Sequence, residues 1–285
     1  MEFTTGNEQL ALVRALFPDL AETLDSALAE RGQGAADRDD RGFDAWLDAE
    51  AASLRNGALA GAPFAALGDA ESARFEAAFV SARSVALQGK LALPEPEAFA
   101  AAGVDLGRLA RHLASDATLV PVPAPYGLGA ERWGELFRNA AAQPGSPFGA
   151  SDSLTFAAEV LDGFGILDSV PDPALARVET HSDEAVPLTW TLRLIPATPK
   201  PPLLGLGFAH GPHISLPEML MLQLMRVTTG ARPVDTESFT WLAGALAGGR
   251  LAARHVFDDS ESLVRISCRE IGNQGPHLGA RPPVG

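Results

Sequence analysis

Two histidines three positions apart, His210 and His213 in the segment HGPH, are the residues of this chain best placed to do chemistry. Imidazoles gathered just ahead of a helix ligate zinc or another divalent ion when a third donor converges on them. His255, His277 and Glu218 are the third donors on offer. The spacing alone is not diagnostic: a helix-borne HExxH or a multi-cysteine set would be, and neither occurs. In the competing reading Pro212 shapes a turn and both imidazoles bond backbone near a helix start. No cofactor is therefore assigned, and His210 and His213 are the metal ligands only if a metal is bound.

Four other constellations carry some chemistry. Gly127 and Gly129 in GLG follow an extended segment and precede a helix, as phosphate-binding loops do, but Arg132 stands where GxGxxG needs its third glycine and no GK[ST] follows. A structural turn is the preferred reading. No GxSxG elbow exists, and Ser146 sits between prolines in a loop. THSDE joins His181 to Asp183 and Glu184, at a place where a hairpin turn is expected. The tail GNQGPHLGARPPVG sets Asn273, His277 and Arg281 on a Gly/Pro-shaped backbone. It either docks back on the fold or offers these three, with His210 and His213, to a ligand or partner.

Composition narrows the function classes. The 285 residues include 36 acidic and 22 basic side chains, a net charge of -14 that repels phosphate backbones, so nucleic acid is not an expected partner. Arg250, Arg254, Arg265, Arg269 and Arg281 are interleaved with Asp258, Asp259, Glu261 and Glu270, and read as a mixed-sign solvated face rather than a basic groove. The single Cys268 cannot form an intramolecular disulfide, and its alternation with Val264 and Ile266 places it in a core. The opening MEFTTGNEQLALVRALF does not read as a signal peptide, and no apolar run approaches the roughly 20 residues of a membrane span. A cytoplasmic protein with no membrane role is expected. Lysine occurs only at 90 and 200 against abundant arginine and alanine, the usage of a GC-rich genome such as an actinobacterium's.

The elements that must position these groups follow from periodicity. Residues 1–116 read as a helical region: helices start after Asn7 and Asp69, the latter with Phe75, Phe79 and Ala82 on one face and a stop at Gly89. Residues 117–285 read as an α+β domain, and the two regions can pack as one unit. Strands are expected in LARVETH, PLTWTLRLIPA, LLGLGFA, GRLAARHVF and SLVRISCRE, with FDDSES as a hairpin connection. In the second of these, Thr189, Thr191 and Arg193 alternate with Leu188, Trp190, Leu192 and Leu194, the pattern of a half-buried strand. Ser215 and Glu218 form a capping box for a helix that Gly230 ends. That helix is so apolar that it must be buried or lie in an interface. Asp235 is expected to cap a further helix carrying Phe239, Trp241, Leu242 and Leu246. The fold class is thus α+β: a helical N-terminal region, then a mostly antiparallel sheet covered by the two capped helices.

The run ISLPEMLMLQL, then FTWLAG, then RISC, then GN-x-x-PHLG resembles an actinobacterial family of unknown function whose members end in GNPH-T-W-LG. Here Gln274 and Gly275 separate Asn273 from the PH pair and the Trp is missing. The likeness spans the final third of the chain, and it implies a bacterial cytoplasmic protein without implying an activity. With so little motif chemistry, the expected function is non-enzymatic: binding of a protein partner, or self-association into a homo-oligomer through the apolar helix. The alternative is an enzyme or small-ligand binder using His210, His213 and His277.

Overall fold

The computed structural model describes residues 64, 67–149, 153–181 and 187–285. The chain divides into two compact units, Met1–Gly57 and Ala58–Gly285, and the described residues all belong to the second. The helix expected after Asn7, and Asp183 and Glu184, lie outside the described residues. Helices α1 (Asp69–Gln88), α2 (Pro96–Ala101) and α3 (Leu106–Ser115) lead into β1 (Leu119–Tyr126), α4 (Ala130–Ala141) and β2 (Leu154–Phe156). Short helices α5 (Ala158–Asp162) and α6 (Phe164–Leu167) precede β3 (Val178–His181), β4 (Pro187–Pro196) and β5 (Leu203–Leu204). Helix α7 (Leu216–Thr228) and strands β6 (Phe239–Leu246), β7 (Leu251–Asp258), β8 (Leu263–Glu270) and β9 (Leu278–Ala280) complete an α+β architecture.

The strands form two sheets, not one. The smaller is antiparallel in the order β1-β4-β3, and the larger runs β2-β8-β7-β6-β9-β5. In the larger, β2 lies parallel to β8 and β6 parallel to β9, while the central β6–β7–β8 meander is antiparallel. Strand β1 is an edge strand with proline at 121, 123 and 125. Proline has no N–H, so the bonded pairs with β4 fall at Val120, Val122, Ala124 and Tyr126, and the prolines blunt the outer edge.

Helix α1 follows its sequence pattern, with Phe75, Phe79, Ala82 and Val85 buried and Gly89 at its C-cap. Gly68 takes the N-cap, and Asp69 instead enters the first turn, where the helix dipole favours a carboxylate. Because α1 packs on β1 and α7, residue 116 is not a seam in the packing. Helix α7 has the expected capping box, and every residue from Leu216 to Met225 is buried within the chain. Each of its buried Leu and Met side chains contributes about 1.5–3 kcal/mol.

Four expectations are corrected by the fold. Asp235 caps no helix: it is fully buried at φ 63°, and residues 239–246 form β6. Phe, Thr and Trp in succession fit a pleated surface better than a helix, where they lose rotamer freedom. Of the two expected capped helices only α7 therefore forms, and it packs on β1 of the smaller sheet beside α1. Strand β4 is buried on both faces, because Arg193 turns inward to a partner on α7. LLGLGFA supplies only the two residues of β5, its chain turning at Gly205 (φ 80°). Gly244 (φ 100°) sits where the β6–β7 register slips, a backbone position that favours glycine. No helix among the described residues is long and apolar enough to cross a membrane.

Candidate functional site

The carboxylate–imidazole pair that a hydrolase would use is present but sealed. His255 Nδ1–H donates to Asp235 Oδ2 at 3.0 Å, and its Nε2 accepts from the Gln223 side-chain amide at 3.0 Å. Gln223 is itself fixed by Val234, through Nε2–H to the carbonyl and Oε1 from the amide. All three side chains are fully buried. Both imidazole nitrogens are therefore taken, and none is left to receive the proton of a triad's nucleophile. Burial holds the His255 pKa below its ordinary value despite Asp235, which keeps the ring neutral. Burial opposes ionisation of Asp235 as well, but Arg281 and then His255 outweigh it and keep the carboxylate charged.

Arg281 completes this network. Nε donates to Thr240 Oγ1, Nη1 to the Pro196 carbonyl and Thr198 Oγ1, and Nη2 to the Thr198 carbonyl and Asp235 Oδ1. All five guanidinium hydrogens are spent, so this expected ligand contact has no donor left to offer. The tail docks back on the fold: β9 pairs with β6 and β5, and Val284 bridges Leu194.

The histidine constellation does not assemble. His213 donates Nε2–H to the Phe208 carbonyl at 2.7 Å and stacks on the Phe208 ring at 4.8 Å. Its Nδ1 is buried without a partner, and burial lowers its pKa. His210 is exposed and turns Nδ1 to the Gly207 carbonyl at 3.2 Å. His277 is exposed just ahead of β9, Asn273 is half-buried in the turn after β8, and Glu218 is committed to Arg193. Among the described residues no three His, Cys, Asp or Glu groups converge as a metal set. Cys268 is half-buried, and burial pushes its thiol pKa up, away from the reactive thiolate. Ser146 only accepts a local bond from the Phe148 amide.

The GLG turn holds an anion of the chain's own. The Asp168 carboxylate accepts from the Gly129 amide at 2.8 Å, at the N-terminus of α4 where a phosphate would sit. Its second oxygen lies beside the Trp133 Nε1–H without a hydrogen bond of acceptable geometry, and burial, outweighing the Gly129, Gly127 and Trp133 donors, raises the Asp168 pKa to about 6.

Two of the solvent-reaching polar constellations among the described residues are candidates for a site. The first is a cleft of about 480 Å³ between the α2–α3 corner, residues 172–176 and β4. Asp105, Arg108 and Asp172 wall it, buried Thr191 and Arg193 lie at its base, and its lining among the described residues holds no imidazole or thiol. Beneath it Glu218 Oε2 accepts from the Ser215 amide and hydroxyl at 2.9 Å each, and Tyr126 O–H donates to Ser215 Oγ at 2.8 Å.

The second is the outward face of β7 and β8. Strand alternation puts Arg254, Arg265, Ser267 and Arg269 there, and His255, Val264 and Ile266 inside. Arg265 is neutralised by Asp258 and Glu261 at 3.3 and 2.8 Å. Arg254 lies 3.9 Å over the Phe239 ring and donates Nε–H to Ser267 Oγ at 3.1 Å. Among the described residues its Nη groups meet no acceptor and Arg269 forms no ion pair. Burial, then Arg269, lowers the Arg254 pKa. The sequence signal for this pair was the arginine cluster itself, but which of the five are neutralised is a matter of strand register. Comparison with protein-family models, curated proteins and solved structures found no match to the chain.

Proposed function

We propose that this is a non-catalytic binding protein whose outward β7–β8 face receives an acidic segment of a protein partner. The observation that carries the reading is the Arg254–Arg269 pair: two adjacent cations, neither facing a carboxylate among the described residues, on a chain of net charge -14. Unneutralised like charges repel, and an incoming anion relieves that repulsion as it binds. Binding rather than catalysis is supported by the sealing of the Asp235–His255 pair and by the spent donors of Arg281. The apolar helix that motivated self-association is satisfied inside the chain, so that route to a homo-oligomer loses its support. A cytoplasmic location belongs to the same proposal, since a chain with only Cys268 draws no stability from an oxidising compartment.

The test is titration of the isotope-labelled full chain with hexaglutamate, followed by amide chemical shifts. The expected result is salt-sensitive shifts confined to β7, β8 and the Phe239 end of β6, lost in the R254E/R269E variant. Shifts that ignore the charge reversal, or none at all, overturn the proposal.

A further inference from the structure

Resting on the acidic-partner reading, we infer that Arg254, Ser267 and Arg269 form a seat for a single tetrahedral oxyanion, a phosphate group carried by the partner. Ser267 lies directly opposite Arg254 in the β7–β8 register, and Arg269 opposite Ala252, so the two arginines are diagonal neighbours on one face. Such neighbours have Cα atoms about 7–8 Å apart, within reach of two long side chains closing on one small anion.

The donors are arranged for this. Ser267 Oγ accepts from Arg254 Nε, which leaves its own hydrogen free to donate outward. Arg254 is fixed from two sides, by the Phe239 ring under its guanidinium and by Ser267 at Nε, so its Nη edge is oriented before anything binds. Arg269 is exposed and adds a second, adjustable fork. Guanidinium forks and one hydroxyl match the three free oxygens of a phosphate monoester better than the two of a carboxylate. The nearest acids in sequence do not compete: Asp258 and Glu261 are held by Arg265, and Glu270 alternates to the opposite side of β8 from Arg269.

The experiment compares three probes on the full chain by calorimetry at constant ionic strength: inorganic phosphate, a phosphoserine hexapeptide, and the same peptide with glutamate in place of phosphoserine. Phosphate and the phosphopeptide are expected to bind, the peptide tighter than the free ion and at least ten-fold tighter than its glutamate counterpart. R254K and R269K, which keep the charge but lose the fork, are expected to weaken phosphopeptide binding about ten-fold, in line with one charge-assisted bond. S267A is expected to weaken it less. Free phosphate binding as tightly as the phosphopeptide would assign the seat to the ion rather than to a partner's phosphate and would overturn the inference as stated. Equal affinity for the glutamate peptide, or indifference to both lysine variants, overturns the phosphate seat while leaving the acidic-partner reading intact. If hexaglutamate and all three probes fail to bind, both fall together.

Discussion

Arg193 on β4 meets Glu218 on α7 edge to edge, Nε and Nη2 each donating to a different carboxylate oxygen at 2.6 Å. The same carboxylate closes the capping box with Ser215, so one side chain both starts the helix and ties it to the smaller sheet. Substituting Glu218→Gln keeps the capping chemistry but leaves a buried guanidinium without its counter-charge, at a cost of about 3–5 kcal/mol. The double variant R193M/E218Q removes the stranded charge and is expected to recover most of that loss. Urea unfolding of the four proteins in this cycle measures it; an E218Q within about 1 kcal/mol of the parent would contradict the pair's role.

Arg281 is held by geometry as much as by charge. Its five donors meet acceptors on three segments of chain, so lysine, a point charge with three hydrogens, cannot replace it. Both R281K and R281M are expected to lose about 3–5 kcal/mol in denaturant unfolding, with raised hydrogen exchange in β9. Rescue by lysine would show that charge alone matters.

Asp168 and His255 act on stability in opposite directions across the acid range. The folded pKa of Asp168 is raised from 3.8 to about 6, so its contribution is full below 3.8 and lost as pH rises through 6. His255 is lowered from 6.5 by burial, so its contribution is full above 6.5 and declines as pH falls. In the D168N variant the melting temperature is expected to rise at pH 8, where a desolvated charge has been removed. Below pH 6 the same variant should lose stability more steeply than the parent, because only the His255 effect remains. Parallel pH profiles for the two proteins would refute this assignment.

Thr191 carries a buried hydroxyl beside the Tyr126 phenol without a hydrogen bond of acceptable geometry. An unsatisfied buried hydroxyl costs about 1–3 kcal/mol, so T191V should be at least as stable as the parent and up to that much more stable. Destabilisation on thermal or urea unfolding would mean that the hydroxyl is bonded after all.

Much of the architecture was legible because it is local. Ser215 and Glu218 announce a helix start whatever surrounds them, Phe75, Phe79 and Ala82 announce a face, and FDDSES joins β7 to β8 as a hairpin. Arg193 carried a usable signal, a lone charge in an otherwise apolar strand, although the alternation suggested that it faces water. Asp168 carried none and Asp235 read as a helix cap: each becomes distinctive only when distant chain closes over it. The candidate site was half legible, since the arginine cluster could be seen but its sorting into paired, buried and free members could not.

Sequence by itself determined the fold class, the capped α7, the β7–β8 hairpin and the acidic character of the surface. These depend on periodicity, capping and composition, which act over a few residues or over the whole chain without reference to shape. Tertiary structure alone decided that Phe239–Leu246 is a strand, that His255 and Arg281 are sealed, and that Arg254 and Arg269 share an open face. Each of these depends on partners from distant segments, 41 positions apart for Arg281 and Thr240, and no local pattern encodes which of them will meet.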